Sequence, residues 1–347
     1  EKLRDIGKFI TTYCDEYKIA NISVQAWGGE PLLEKNKIIA LTKFITPQKT
    51  KVHYSIETNA TLLTNDVIEE LYKNHIGIGI SIDGDRKCHD LQRTFVSGKG
   101  SYDTVKKNLL QAQRYYKNKI GTITTITKQT AVHIEKIIEH LVLDLHISNI
   151  KLNFVHASTY THGQNQCLNT QEIADTELRI LYKIIELQER GYDVMEHNIF
   201  IKLKNLLFRE YADICLSCGC CGGKKMIVFD MDGNIYPCEL TDDASFVIGS
   251  IYKKESLIEQ IKMTIDKDKA FFKMKKAVEC EKCYWKFFCR GGCTVRALSE
   301  KRQMEVIDID HIECAINQVL YPALMELVLR KPHIVNQMLG EDLLVDE

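Results

Sequence analysis

An α/β fold, with parallel strands wound as a sheet or barrel and a small cysteine-rich lobe behind it, is what three features of this 347-residue sequence predict. Short runs rich in Ile, Val, Thr and aromatics alternate with helical periodicity from residue 1 to about 157. Repeats of strand and helix at about 25- to 45-residue spacing require right-handed crossovers and hence parallel strands. Ten of the 13 cysteines lie from Cys215 onward. An even scatter would place about five there, so the C-terminal third is organised around sulfur.

Ile6, Phe9, Ile10, Tyr13 and Tyr17 fall on one face of a helix over 1–17. Strands follow at 19–27, 52–59, 76–83, 120–127 and 149–156, each short enough to be buried. Helices over 64–74, 102–116 and 130–143 separate them, the last with Ile134, Ile137, Ile138 and Leu141 on its apolar face. Residues 171–210 read as mostly helical and polar-faced, the last barrel helix plus a connection. From Cys215 the composition turns to Cys and Gly, with a hairpin whose arms, KKMIVFD and NIYPCEL, flank a turn at Asp232-Gly233. Cysteine and glycine are too dense over 280–293 for a long helix, and helical periodicity returns over 311–340. The expected domains are therefore 1–210 and 211–347.

Lys and Arg total 46 against 47 Asp and Glu, which gives no surplus to favour nucleic acid or an anionic membrane. No uninterrupted apolar run has the roughly 18 residues of a membrane span, and the opening EKLRDIGKFI lacks the apolar stretch of a signal peptide. A cytoplasmic protein is expected, and there dense thiols bind metal or iron–sulfur clusters rather than form disulfides. Cys14, Cys88 and Cys167 stand alone and read as inert thiols.

Loops at the C-terminal ends of parallel barrel strands open onto one face. Here those loops carry Trp27-Gly28-Gly29-Glu30-Pro31, then Glu57-Thr58-Asn59, then Ser81-Ile82-Asp83-Gly84 with His89-Asp90 and Arg93. Two glycines let a ligand approach the backbone, and a neighbouring carboxylate suits an ammonium group. Taken alone, the first loop also fits a glycine turn with a solvated Glu. In register with the other two it points to a site. The polar loop 156–166 fits either a substrate-facing or a solvated segment.

Gly28-Gly29-Glu30-Pro31-Leu32-Leu33, Thr58-Asn59-Ala60-Thr61-Leu62-Leu63, Ser81-Ile82-Asp83-Gly84, Arg93 and Gly98-Lys99-Gly100-Ser101 together resemble the core of a radical S-adenosylmethionine (SAM) enzyme over about 19–157. The resemblance implies a partial (β/α)6 TIM-like barrel. It also implies that Gly28, Gly29 and Glu30 hold the methionine amino group, with Asn59, Ser81 and Arg93 for the ribose and carboxylate.

The C-terminal region resembles the SPASM domain of peptide- and protein-modifying members, through Cys221, Gly233 to Cys238, then Cys280, Cys283, Cys289, Cys293 and Cys314. That implies two auxiliary [4Fe–4S] clusters. Cys280, Cys283, Cys289 and Cys314 would hold one, and Cys238, Cys293 and two upstream cysteines the other. Cys215, Cys218, Cys220 and Cys221 compete for those two places, with Cys215 and Cys221 favoured; a surplus thiol would leave an iron site open to substrate. Cys-x2-Cys pairs also suit zinc.

The family's first cluster sits on a Cys-x3-Cys-x2-Cys loop, which this sequence lacks. Its place would be just before Glu1. The intact protein is expected to carry that loop and the first barrel strand upstream, the alternative being a degenerate homologue that kept the barrel and lost the chemistry; the polypeptide without them is expected to be inactive toward SAM. The implied chemistry is hydrogen abstraction initiated by one-electron cleavage of SAM. The implied substrate is a ribosomally made peptide that acquires a thioether or carbon crosslink. The alternatives are formylglycine formation on a sulfatase and a non-catalytic scaffold stabilised by metal. Glu239, next to Cys238, corresponds to an acidic base of sulfatase-maturing relatives, with Glu in place of Asp. A flavodoxin or ferredoxin is the implied reducing partner.

Overall fold

The computed structural model describes residues 1–156, 163–209, 215, 220–241, 244–266, 278–299 and 309–340. All five predicted strands form: β1 (Asn21–Ala26), β2 (Lys51–Thr58), β3 (Ile76–Ser81), β4 (Gly121–Ile126) and β5 (Asn149–Phe154). A sixth, β6 (Met195–Glu196), lies within the segment expected to be the last barrel helix plus a connection. The sheet order is β1-β2-β3-β4-β5-β6, with parallel pairing within β1–β3 and within β4–β6. Sequential order with a helix after most strands is the winding of a (β/α) barrel, here with six strands and so partial.

The helices include α1 (Lys2–Glu16), α2 (Lys35–Phe44), α3 (Asn65–Lys73), α4 (Arg86–Gln92), α5 (Tyr102–Tyr116), α6 (Lys128–Ala131), α7 (Ile134–Glu139), α8 (Thr170–Glu189) and α9 (His197–Phe208). The predicted helix 130–143 is thus broken. It continues past α7 as a π-turn over His140–Asp144. α8 starts on a capping box, in which Asn169 Oδ1 accepts from Glu172 N at 2.9 Å and Glu172 Oε2 accepts from Asn169 N at 2.8 Å.

The chain divides into two compact units built from interleaved segments: 1–81, 103–120 and 222–273 in one, 82–102, 121–221 and 274–347 in the other. In the first, alternate residues Ile76, Ile78 and Ile80 of β3 are buried. The predicted hairpin forms as β7 (Val228–Phe229) and β8 (Asn234–Tyr236), and β9 (Gly249–Ser250) adds a third antiparallel strand. This small sheet packs on α1: Phe9 and Tyr13 lie against Ile235, Ile248 and Leu257, and Phe9 meets Phe229 edge to face at 5.8 Å.

In the second unit Ile150, Leu152 and Phe154 of β5 are buried together with Ile134, Ile137 and Ile138 of α7. Glu196 ties the short sixth strand into the sheet: Oε1 accepts from Leu152 N at 3.0 Å, while Oε2 caps α9 at Ile199 N, 2.8 Å. Short helices occupy Val278–Lys282 and Lys286–Cys289, as the Cys and Gly density predicts. Over 311–340 two helices form, His311–Arg330 and Pro332–Leu339. Among the described residues the first is the one helix whose length and composition would allow it to cross a membrane. Its buried Glu313 and Asn317 bond the Lys202 ammonium, which makes it a core helix.

Candidate functional site

The turn after β1 is built on Glu30. Its Oε1 accepts from Leu32 N at 3.0 Å and from Thr58 Oγ1 at 2.7 Å, and its Oε2 accepts from Asn59 N at 2.8 Å. The carboxylate therefore joins the ends of β1 and β2 and caps the 3-10 turn Pro31–Glu34. A carboxylate offers about four lone-pair sites, so three donors leave acceptor capacity for one more. Gly28 and Gly29 are exposed, and a Cβ at either would meet no atom within 4 Å. Gly28 has φ +153°, a conformation that favours glycine. An anchored carboxylate beside open backbone is a place for a small cationic group.

Asn59 Oδ1 accepts from Thr61 N at 2.9 Å and Thr61 Oγ1 at 2.7 Å, so this oxygen shapes its own turn and the amide NH2 is the group it can offer a ligand. Ala60 sits at φ +58°, its carbonyl held by Asn108 Nδ2 at 2.7 Å. Ser81 ends β3, partly exposed.

Arg93 and the motif around it form a second cluster, in the other unit. Asp83, 1% exposed, accepts from Arg93 Nε at 2.5 Å, Gln92 Nε2 at 2.7 Å and Thr125 N at 2.9 Å. The guanidinium that the sequence suggests for a ligand thus also holds a buried carboxylate.

Beside it a directional chain runs from Asp83 N to His89 Nδ1 (3.2 Å), from His89 Nε2 to Ser101 Oγ (3.0 Å) and from Ser101 Oγ to Arg93 O (2.9 Å). An acceptor at Nδ1 requires the proton at Nε2, so the imidazole is neutral. Burial pushes its pKa down to about 4. His89 is therefore a structural joint rather than a rim group. Because the folded protein resists protonation there, stability is fully present above the unfolded pKa of about 6.5 and falls as pH drops toward 4, by about 3 kcal/mol. Urea midpoints across that window should fall more steeply in the native protein than in His89→Asn.

Gly98-Lys99-Gly100-Ser101 closes the same loop. A Cβ at Gly100 would sit 2.1 Å from the Asp90 carboxyl, which itself accepts from Tyr102 N at 2.9 Å. Gly100→Ala is expected to cost about 1–3 kcal/mol, read as a lower thermal midpoint.

The thiols divide in the same way. Cys238 is buried in the first unit, its N–H reaching Thr241 Oγ1 at 3.3 Å, and Glu239 beside it is half-buried. In the second unit Cys314 lies in the field of Cys280 and Cys283, and Cys293 in that of Cys220. Gln318 Nε2 reaches Cys283 Sγ at 3.6 Å, and Asp310 Oδ2 accepts from Cys293 N at 2.7 Å. Cys215 is exposed, and Cys218 lies outside the described residues, as does most of the loop 156–166. Cys221 is buried and disulfide-bonded, whereas ligation requires the thiolate. Among the described residues no three His, Cys, Asp or Glu side chains converge as they would on one ion.

In donor chemistry the neighbouring thiols Cys280, Cys283 and Cys314 fit an iron–sulfur cluster. Burial pushes Cys289 up to about 11 and raises Cys293 and Cys314, so binding would displace their protons. Cys88, likewise pushed up to about 11 by burial, is the inert thiol the sequence suggests.

Sequence reasoning missed Thr58 as the partner of Glu30, and Lys202. A lysine among Ile199, Ile201 and Leu203, all buried, is the signal that marks Lys202.

Residues 3–141 match the model of the Radical SAM superfamily. The cysteine-type anaerobic sulfatase-maturating enzyme of Clostridium novyi (strain NT) is 26% identical over 273 residues, 77% of this chain and 71% of that one. The solved structure of native anSMEcpe with bound AdoMet and Cp18Cys peptide superposes with TM-score 0.78 at 21% identity, covering 97% of this chain and 90% of that one. Streptococcus suis SuiB bound to precursor peptide SuiA gives TM-score 0.61 at 18% identity, covering 88% of this chain and 68% of that one. At such identities the two structures establish a shared fold.

Proposed function

The chain belongs to the radical SAM superfamily through residues 3–141, and on that premise we propose that it removes a hydrogen atom from a peptide or protein side chain and leaves a modification there. The observation that carries this is the Glu30 turn, a carboxylate fixed by three donors beside two open glycines. Glu30 takes the methionine ammonium of SAM, Gly28 and Gly29 admit it to the backbone, and the Asn59 amide and Ser81 hydroxyl serve the ribose. Cys280, Cys283, Cys289 and Cys314 hold an auxiliary cluster. When bound, SAM and a reduced [4Fe–4S] cluster supply one-electron cleavage chemistry strong enough to break an unactivated C–H bond.

The substrate proposed first is a ribosomally made peptide that gains a thioether or carbon crosslink. Conversion of a sulfatase residue to formylglycine is the second, and the sulfatase-maturating relative aligned over 77% of the chain favours it. In that case Glu239 is the acidic group to examine as a base. Flavodoxin or ferredoxin is the proposed electron donor.

The test is anaerobic incubation of the iron-loaded full-length protein with SAM and a strong reductant. Formation of 5′-deoxyadenosine is expected; none from fully loaded protein overturns the proposal. Mass spectrometry of the substrate then separates loss of two hydrogens in a crosslink from conversion of one cysteine to formylglycine, in which oxygen replaces the sulfur and two hydrogens are also lost.

A further inference from the structure

Parallel strands are usually apolar on both faces, because both are covered. In β1 to β3 only one face follows that rule. Ile56 of β2 and Ile76, Ile78 and Ile80 of β3 are buried. The opposite face carries Ser23 and Gln25 of β1, Ser55 and Glu57 of β2, and Gly77, Gly79 and Ser81 of β3. In register Gln25 lies beside Ser55, Ser55 beside Gly77, and Glu57 beside Gly79. This face therefore holds polar side chains or none.

Neither Gly77 nor Gly79 has a positive φ, and a Cβ at Gly77 would meet nothing closer than 3.6 Å. At Gly77, then, neither backbone conformation nor packing requires glycine, which weakens a strand interior and in return lets a ligand come close. Glu57 stands beside that room. It is partly buried, and among the described residues no hydrogen bond or ion pair holds its carboxylate. A carboxylate that has lost part of its hydration without a donor is compensated when a cation meets it. Ser81 lies two residues beyond Gly79 on the same face, so Glu57 sits one layer, about 7 Å, below the hydroxyl assigned to the ribose. The next two residues, Thr58 and Asn59, hold Glu30.

We propose that this face receives the substrate peptide beneath the Ser81 layer, and that Glu57 determines specificity by pairing with a cationic side chain, lysine or arginine, close to the modified residue. This inference rests on the function proposed above.

The test uses iron-loaded full-length protein with SAM and two probes, acetyl-Ala-Lys-Ala-amide and its norleucine counterpart, titrated by saturation-transfer nuclear magnetic resonance. The native protein is expected to bind the lysine peptide about tenfold more tightly, and Glu57→Gln, which keeps size and shape, to bind both alike while retaining native affinity for SAM. No lysine preference overturns the proposal, as does a preference that survives in Glu57→Gln. A loss of SAM affinity in that variant with the preference intact also overturns it, since Glu57 would then face the nucleotide. The native protein gives a second reading without any variant: carbodiimide should join the lysine ε-amine to the Glu57 carboxyl, found as a crosslinked peptide by mass spectrometry. Coupling at other carboxylates but not at Glu57 counts against the proposal. Failure of native protein to form 5′-deoxyadenosine removes the functional reading itself, whereas deoxyadenosine formation without lysine preference overturns this inference alone.

Discussion

Glu30→Ala is expected to weaken binding of SAM by about ten- to a hundredfold, the worth of one charge-assisted hydrogen bond of roughly 1.5–3 kcal/mol. On the proposed assignment, the substitution removes the anionic partner of the ligand ammonium. It also leaves Leu32 N, Asn59 N and the Thr58 hydroxyl without the acceptor they share. Part of the effect is therefore a loosened turn, and Thr58→Val separates the two contributions. That variant withdraws one donor and keeps the charge, so it should soften the turn with a smaller loss of affinity. Calorimetric titration with SAM measures both; native affinity in Glu30→Ala would exclude Glu30 from the site.

Asp83→Ala is expected to cost about 2–4 kcal/mol of folding stability, somewhat below the usual cost of breaking a buried pair because Arg93 is partly exposed. The variant removes the acceptor shared by the guanidinium, the Gln92 amide and the Thr125 N–H at once, although Gln92 Nε2 keeps its bond to Thr125 O at 2.8 Å. Urea unfolding followed by circular dichroism gives the figure, and a loss under about 1 kcal/mol would mean that water satisfies these groups. Arg93→Leu leaves the carboxylate instead, and should be comparably costly.

The β-rich runs made β1 to β5 legible because each predicted run holds at least three Ile, Val, Thr or aromatic residues. β6 was not, since two residues carry no period, and what holds it is Glu196 bonding to a strand more than 40 residues away. The glycine–carboxylate turn was legible for the opposite reason: its bonds span the ends of two neighbouring strands, and its residues sit in short motifs. His89 was visible as a motif residue, but its burial was not, because that depends on Ser101 folding back over it. Lys202 and Glu313, 111 residues apart, share no local pattern at all. The composition break near 210 marks where cysteine becomes dense, whereas the compact units are drawn by long-range packing and interleave across it.

The docking of β7–β9 on α1 has a consequence for synthesis on the ribosome. Phe9 and Tyr13 wait for Ile235, Ile248 and Leu257, so these two side chains of α1 lack that cover until more than two hundred further residues have emerged. Nascent chains arrested before residue 222 should accordingly bind hydrophobic probes and chaperones, and release them once the small sheet is out.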